Sequence, residues 1–490
     1  MENVQPILAQ IEGAVTRLPE LAFEAPVDWT LRKGEQWAVI GPNGAGKTLL
    51  ADLLQRKFSL KQGEVRLAGN ASVADFVKSI AFKDIYSMAD CRNTYYQQRF
   101  QATENDDVPR VSELLPHGGA DAREEELMTL FGISELLPKK LVYLSSGELR
   151  KFLIVRTLLK QPKLLILDNP FIGLDAPSRA LLVEMLQRMA QLQGTQVILL
   201  LSNPADIPPM VNRVLPVLER RLLPAMSRED FLADQRLIQR LFPTEGEAAG
   251  RPVELPELPV EADKQPATHA VTLRMEKVKV RYGSRVILRD IDWEVRNGEK
   301  WSLCGPNGSG KSTLLSLVYA DNPQSYANTL YLFDKKRGTG ESIWEIKRRI
   351  GYVSPEMHLY YRQNAPALQI VGSGFFDSIG LYQKCSPEQE ALALRWMEVL
   401  GVAHLRDRLF QTLSSGEQRL VLLARAFVKD PDLIILDEPL HGLDVSRKKL
   451  AAALIQRFCE RPGKTLIYVT HYPHELPSCV DRHYELSKQA

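Results

Sequence analysis

Two short stretches hold the residues best placed to do chemistry. LIILDEPLHGLD (433–444) ends an apolar run in two adjacent acids, Asp437 and Glu438. LLILDNPFIGLD (164–175) repeats the pattern, but Asn169 follows Asp168 where the second acid would stand. Two carboxylates at the end of a buried strand can divide the work, one holding a divalent cation through water and the other polarising an attacking water. That division requires a polyphosphate beside them. A strand ending in a solvated acidic turn is the plainer alternative, and the residues upstream decide against it.

Upstream, GPNGAGKT and GPNGSGKS both fit G-x-x-x-x-G-K-[ST]. The first loop is Gly41, Pro42, Asn43, Gly44, Ala45, Gly46, Lys47 and Thr48; the second is Gly305, Pro306, Asn307, Gly308, Ser309, Gly310, Lys311 and Ser312, with Thr313 next. The glycines let backbone N–H groups turn toward phosphate oxygens, and the following helix adds the positive end of its dipole. Lys47 and Lys311 would reach the outer phosphates, while Thr48 and Ser312 would bind Mg²⁺ together with Asp168 and Asp437, the acids acting through water. A glycine-rich turn with an incidental lysine would not recur in the same context. Asn169 cannot serve as a base, because an amide neither takes a proton nor carries charge. In the same half, Asn203 of LLSNP stands where the second half has His471 of YVTHYP. The first site is therefore expected to bind nucleotide but to hydrolyse it slowly or not at all.

The elements that position these residues repeat as whole domains. WTLRKGEQWAVIGPNGAGKT (29–48) matches WEVRNGEKWSLCGPNGSGKS (293–312) at a displacement of 264 residues. LSSGELRK (144–151) matches LSSGEQRL (413–420) at a displacement of 269, as do the carboxylate stretches. Each copy opens with alternating strands, as in VKVRYGSRVILRDIDWEV (278–295), which predicts an antiparallel edge. Apolar strands separated by helices follow, which predicts a parallel α/β sheet. The expected organisation is a first domain over 1–240, an extended linker over 241–270 and a second domain over 271–490. From Arg240 to Ala270 the linker holds six acids against three bases. Trp29, Trp37, Trp293 and Trp301 recur at strand positions and are expected in the core.

The bulk numbers exclude several classes. The chain has 490 residues, 44% hydrophobic and 25% charged, with a net charge of +2. That charge carries no strong nucleic-acid signal. Five scattered cysteines show neither a pairing pattern nor metal-ligand spacing, which argues against an oxidising compartment. The N-terminus lacks the charged start and apolar core of a signal peptide, and no run approaches the roughly 18 apolar residues of a membrane span. The expected location is the cytoplasm, or peripherally the inner face of the cell membrane. Lys335, Lys336, Arg337 and Lys347, Arg348, Arg349 are expected on a solvated face, with a phosphate-backbone contact as the alternative. Phe375 and Phe376 of GFFDSIGLYQ are expected either in the core or in a groove receiving a membrane partner's helix.

In this order, the two phosphate loops, LSSGE stretches, acid-ended strands and Gly-Leu-Asp turns resemble the ATP-binding-cassette family across nearly the whole chain. The resemblance implies two P-loop cassettes, each with a RecA-like parallel core, an antiparallel β subdomain and a helical subdomain. It implies ATP and Mg²⁺ as ligands and ATP hydrolysis as the activity, with Glu438, His471 and Lys311 as the catalytic set. It also implies that the cassettes pair head to tail. Ser145, Ser146 and Gly147 would then close the site of the second cassette, and Ser414, Ser415 and Gly416 that of the first. Tyr282 fits the aromatic that stacks on adenine, and its aligned position in the first half is Leu18, with Phe23 nearby. The glutamine the family places after the middle strand is missing: Pro355 and Glu356 occupy that place in the second half, and Asp84, Gln97 and Gln98 are the candidates in the first.

More narrowly, ESIWEIKRRIGYVS (341–354), GFFDSIGLYQ (374–383) and YYQQRF (95–100) are similar to tandem-cassette proteins encoded beside molybdate-uptake genes, also called photorepair proteins. This resemblance implies an energy-coupling or accessory ATPase working with a separate membrane permease, plausibly for molybdate. The competing functions are a tandem-cassette translation factor acting on ribosomes and an ATP switch in DNA repair. The short acidic linker and Asn169 argue against the first, and the weak basic charge gives the second no support.

Overall fold

Apolar runs bounded by glycine and proline become the parallel strands of two separate sheets. The computed structural model describes residues 5–70, 72–81, 109–115, 122–141, 144, 146–171, 174, 176–243, 269–282, 285–306, 308–355, 357, 364–378, 383–472 and 475–487. The chain divides into two compact units, the main change falling between Gly250 and Arg251.

In the first unit the parallel strands lie in the order Val77–Ala81, Leu164–Asp168, Gln196–Leu201, Trp37–Ile40 and Arg213–Leu218. Gln196–Leu201 and Trp37–Ile40 are buried at every residue. Strands covered on both faces have no polar face to alternate with, hence their apolar sequence, Gln196 excepted, whose amide bonds the backbone of Arg32, Gly34 and Glu35. A separate antiparallel sheet joins Ile7–Thr16 to Val27–Arg32 and Leu60–Leu67. There Val27–Arg32 buries every second residue, as a sheet with one wet face should. Trp29 of that sheet meets Trp37 of the parallel sheet edge to face, with centroids 5.5 Å apart, so one core spans both.

The second unit repeats this plan. Ile350–Val353, Leu433–Asp437, Thr465–Val469, Lys300–Cys304 and Arg482–Glu485 form the parallel sheet in the corresponding order. Val271–Tyr282 pairs antiparallel with Arg285–Arg296 and Thr329–Leu332. Trp293 and Trp301 repeat the edge-to-face contact at 5.8 Å. The helices Ala367–Gly372, Pro387–Val399 and Ser415–Phe427 pack together, with the rings of Trp396 and Phe427 stacked. Phe375 is buried with them and Phe376 half-buried, which favours core packing for this pair.

The structure corrects one expectation outright. Only part of the two basic clusters is solvated. Arg337 is buried and pairs with Glu341 at 2.9 Å. Lys347 pairs with Asp321 at 2.6 Å and lies over the Tyr319 ring, and Arg349 pairs with Asp432 at 2.6 Å over the Phe333 ring. A run of bases reads as surface when its partners, up to 83 residues away, are invisible in the sequence; here the acids neutralise the bases in place. At the linker, helix Gln235–Leu241 and buried Phe242 belong to the first unit, and buried His269 to the second.

Candidate functional site

The strand order brings the chemistry together. In each sheet a single parallel strand separates the strand leading into the phosphate loop from the acid-ended strand, so both sets of residues emerge from the same end. That end is where α/β sheets bind ligands.

Glycine at the loops is dictated by space and by backbone conformation. A Cβ on Gly41 would sit 2.0 Å from the Val217 carbonyl oxygen, and one on Gly305 would sit 2.4 Å from that of Leu486. Gly46 and Gly310 adopt φ of 106° and 99° immediately before helices Lys47–Leu54 and Lys311–Val318. Neither supplies a capping side chain, so the first-turn amides face the loop, as an anion requires. Lys47 donates to the carbonyls of Gly41 and Pro42, both at 2.8 Å. Lys311 donates to those of Gly305 and Pro306 at 2.7 and 3.1 Å. Burial lowers the Lys47 ammonium to about 8, although Asp168 pulls the other way. Asn307 lies outside the described residues.

Both acid-ended strands finish in the same backbone turn. Asn169 and Glu438 hold φ of 49° and 48°, and each donates its amide N–H, at 2.9 Å, to a strand carbonyl, Leu200 and Val469 respectively. A left-handed φ is ordinary for asparagine and unfavourable for glutamate. On the first turn, Thr48 Oγ1 donates to Asp168 Oδ2 at 2.9 Å and Asn169 Nδ2 to Asp168 Oδ1 at 2.9 Å. The Thr48 hydroxyl and Asp168 carboxylate are hard oxygen donors side by side, a set that fits Mg²⁺.

On the second turn, Glu438 is clamped. His471 Nε2 is 3.2 Å from Oε1, and His441 Nδ1 is 2.8 Å from Oε2. Arg419, on helix Ser415–Phe427, donates to the Glu438 carbonyl at 2.7 Å. Burial would raise this carboxyl, but His441, His471 and Arg419 outweigh it and lower it to about 2. Glu438 is therefore ionised at neutral pH, an acceptor on both oxygens.

Strand register also corrects the residue opposite His471. Asp168 pairs with Leu200 as Asp437 pairs with Val469. Two residues onward these lead to Ser202 and to His471, so Ser202, not Asn203, stands at the histidine's place. Ser202 Oγ lies 3.2 Å from Asn169 Oδ1, as His471 meets Glu438, and its single hydrogen is shared between that oxygen and Asn43 Oδ1 at 3.0 Å. Asn203 instead accepts from the Ala205 amide and caps the next turn. Matching SNP to THYP by eye hides this offset.

The remaining expected residues fall as follows. Tyr282 ends its strand half-buried, and its hydroxyl accepts from Asn322 Nδ2 at 3.1 Å. Its sequence counterpart Leu18 is 51% exposed, while the Phe23 ring lies 3.3 Å from where a Cβ of Gly46 would be. Phe23 is thus the aromatic beside the first loop. Ser414 forms a capping box with Glu417, which gives the glutamate of LSSGE a structural role at the start of helix Ser415–Phe427. Gly416 is buried in its first turn. Ser146 and Gly147 open the matching helix Ser146–Leu158, and Ser145 lies outside the described residues. So do Asp84, Gln97, Gln98 and Glu356. Pro355 follows buried Ser354 at the end of the middle strand. His441 is the residue the sequence reading missed; its signal was present, since EPLHGLD carries histidine where NPFIGLD carries Ile172.

Comparison with known proteins agrees with this geometry. A family model described as "ABC transporter" matches residues 25–172 and 288–441. The ABC transporter ATP-binding protein ModF of Escherichia coli is 37% identical over 464 residues, covering 93% of this chain and 92% of that protein. An uncharacterized ABC transporter ATP-binding protein of Schizosaccharomyces pombe is 29% identical, covering 93% of each. Among solved structures, an RNase-L inhibitor aligns over 97% of this chain and 87% of its own, with TM-score 0.52 at 18% identity. That level of identity speaks for the fold alone. Among the described residues, no helix is long and apolar enough to cross a membrane.

Proposed function

The chain belongs to the ABC transporter ATP-binding family as a tandem two-cassette ATPase, and from that premise we propose that its two nucleotide sites are unequal. The site of the second cassette hydrolyses ATP, with Lys311 on the phosphates and Glu438 polarising the attacking water beside His471. The site of the first cassette, built on Lys47, Thr48, Asp168 and Asn169, binds ATP and turns it over slowly or not at all. The observation that carries this reading is the pair of matching turns. One backbone geometry presents a histidine-clamped carboxylate in one cassette and an amide bonded to serine in the other. Phosphoryl transfer needs a group to position and polarise water, and an amide supplies no negative charge for that work.

Thr48 with Asp168, and Ser312 with Asp437, are the residues that would hold Mg²⁺. When bound, the ion supplies charge neutralisation at the outer phosphates. The reading includes pairing of the two cassettes of this chain, which the order of the motifs supports. Its site test is Glu438→Gln, which should abolish most turnover while ATP still binds.

We further propose that ATP-driven closure and hydrolysis-driven opening do work on a separate membrane permease, with molybdate as the cargo. Support comes from the similarity to the Escherichia coli protein over nearly the full length of both chains, and from the resemblance of 341–354, 374–383 and 95–100 to proteins encoded beside molybdate-uptake genes. The protein would then act in the cytoplasm at the inner face of the membrane. Affinity capture with the ATP-trapped Glu438→Gln protein tests this. A membrane protein in the eluate is expected, and ribosomes or DNA there instead would overturn it.

A further inference from the structure

The turn that follows Glu438 folds back on it. The His441 amide donates to the Glu438 carbonyl at 3.2 Å, and this tight loop returns the His441 ring to the side chain it left. Only 8% exposed, His441 sets Nδ1 at 2.8 Å from Glu438 Oε2, closer than His471 comes to Oε1. Among the described residues, the holds on Glu438 other than the two histidines act on its backbone: Arg419 on its carbonyl and the Val469 carbonyl on its amide. His471 and His441 therefore divide the two carboxylate oxygens between them.

We propose that His441 is a positioning residue for hydrolysis. Its Nδ1–H anchors Oε2 of Glu438, so that the carboxylate plane is set and Oε1 faces the strand end carrying His471. The two cassettes supply an internal control. Where the turn carries Glu438, the third residue onward is His441; where it carries Asn169, that residue is Ile172, which has no donor. A histidine that merely filled space has no reason to occur in the copy with the carboxylate and not in the copy with the amide. An ionised carboxylate held at both oxygens keeps a single orientation toward water, whereas one held at Oε1 alone, by the longer His471 contact, can turn about its side-chain bonds. Misplacement on that scale is costly to a rate.

This inference rests on Glu438 being the group that polarises water, and the test separates the two. The full chain is compared with its His441→Ala, His441→Leu, His441→Asn and Glu438→Gln variants for kcat, KM for ATP and melting temperature. Alanine and leucine remove the donor, leucine while still filling the space, and either stands in should the other not fold. Both are expected to lower kcat by roughly 10- to 100-fold with little change in KM. Asparagine places an N–H close to Nδ1 and is expected to recover most of the loss, to within about threefold of wild type. A kcat within about twofold of wild type in the leucine variant, or no recovery with asparagine, overturns the proposal. Turnover retained by Glu438→Gln would overturn the underlying reading instead.

Discussion

The turn at Asn169 and the turn at Glu438 share a backbone, an aspartate before it and a buried arginine behind it (Arg150 and Arg419), and differ in the side chains that meet the turn residue's own. Their φ angles are 49° and 48°, and each amide bonds to the neighbouring strand at 2.9 Å. Around Glu438 stand His441, His471 and Arg419. Around Asn169 stand Asp168 and Ser202. Since the fold holds the same turn with either residue, glutamate there is not a requirement of folding. Asparagine suits a left-handed φ better than glutamate does, so the second cassette keeps the costlier residue. Strain retained at one copy and absent from the other is what the proposed division between the two sites predicts.

Several experiments would break or sharpen this contrast. The largest effect belongs to Glu438→Gln, which should lower kcat by about 100- to 10,000-fold while leaving ATP binding intact; turnover near wild type would end the assignment of unequal sites. Writing the second turn into the first comes next. Asn169→Glu with Ser202→His, placed in the Glu438→Gln background, should raise the residual rate by about tenfold or more, because the backbone is already in place. No gain would mean that the asymmetry lies beyond these two positions.

A third test uses pH. Burial lowers Lys47 to about 8, so its charge is present below that value and lost as pH rises through it. In a Lys311→Ala protein, where the first site is isolated, ATP affinity should fall by up to about tenfold between pH 7 and pH 9, as read by equilibrium titration. A flat profile would show that nucleotide binding does not depend on this ammonium. The smallest expected effect is Asn169→Ala, for which steady-state hydrolysis should change by less than about twofold. A large loss would assign chemistry to the first site.

Much of this was legible in order and spacing. The tandem repeat, the parallel and antiparallel sheets, both phosphate loops and the missing second acid follow from residue type and displacement alone, because they are local patterns repeated in one chain. Three things became plain only in the structure. The counterpart of His471 is Ser202: the displacement of 269 residues already gives it, but a match of Ser-Asn to Thr-His hides it until the register of Leu164–Asp168 on Gln196–Leu201 is seen. Arg337, Lys347 and Arg349 look like surface charge until Glu341, Asp321 and Asp432 are found beside them. His441 looks like one more residue in a loop until the turn closes onto Glu438.

The sequence by itself determined that there are two cassettes, where each phosphate would lie, and which copy lacks a second carboxylate. Only the tertiary structure decided what holds the remaining carboxylate in place. Which side chain reaches it depends on how a turn closes and how strands register, and neither is written in the order of the residues.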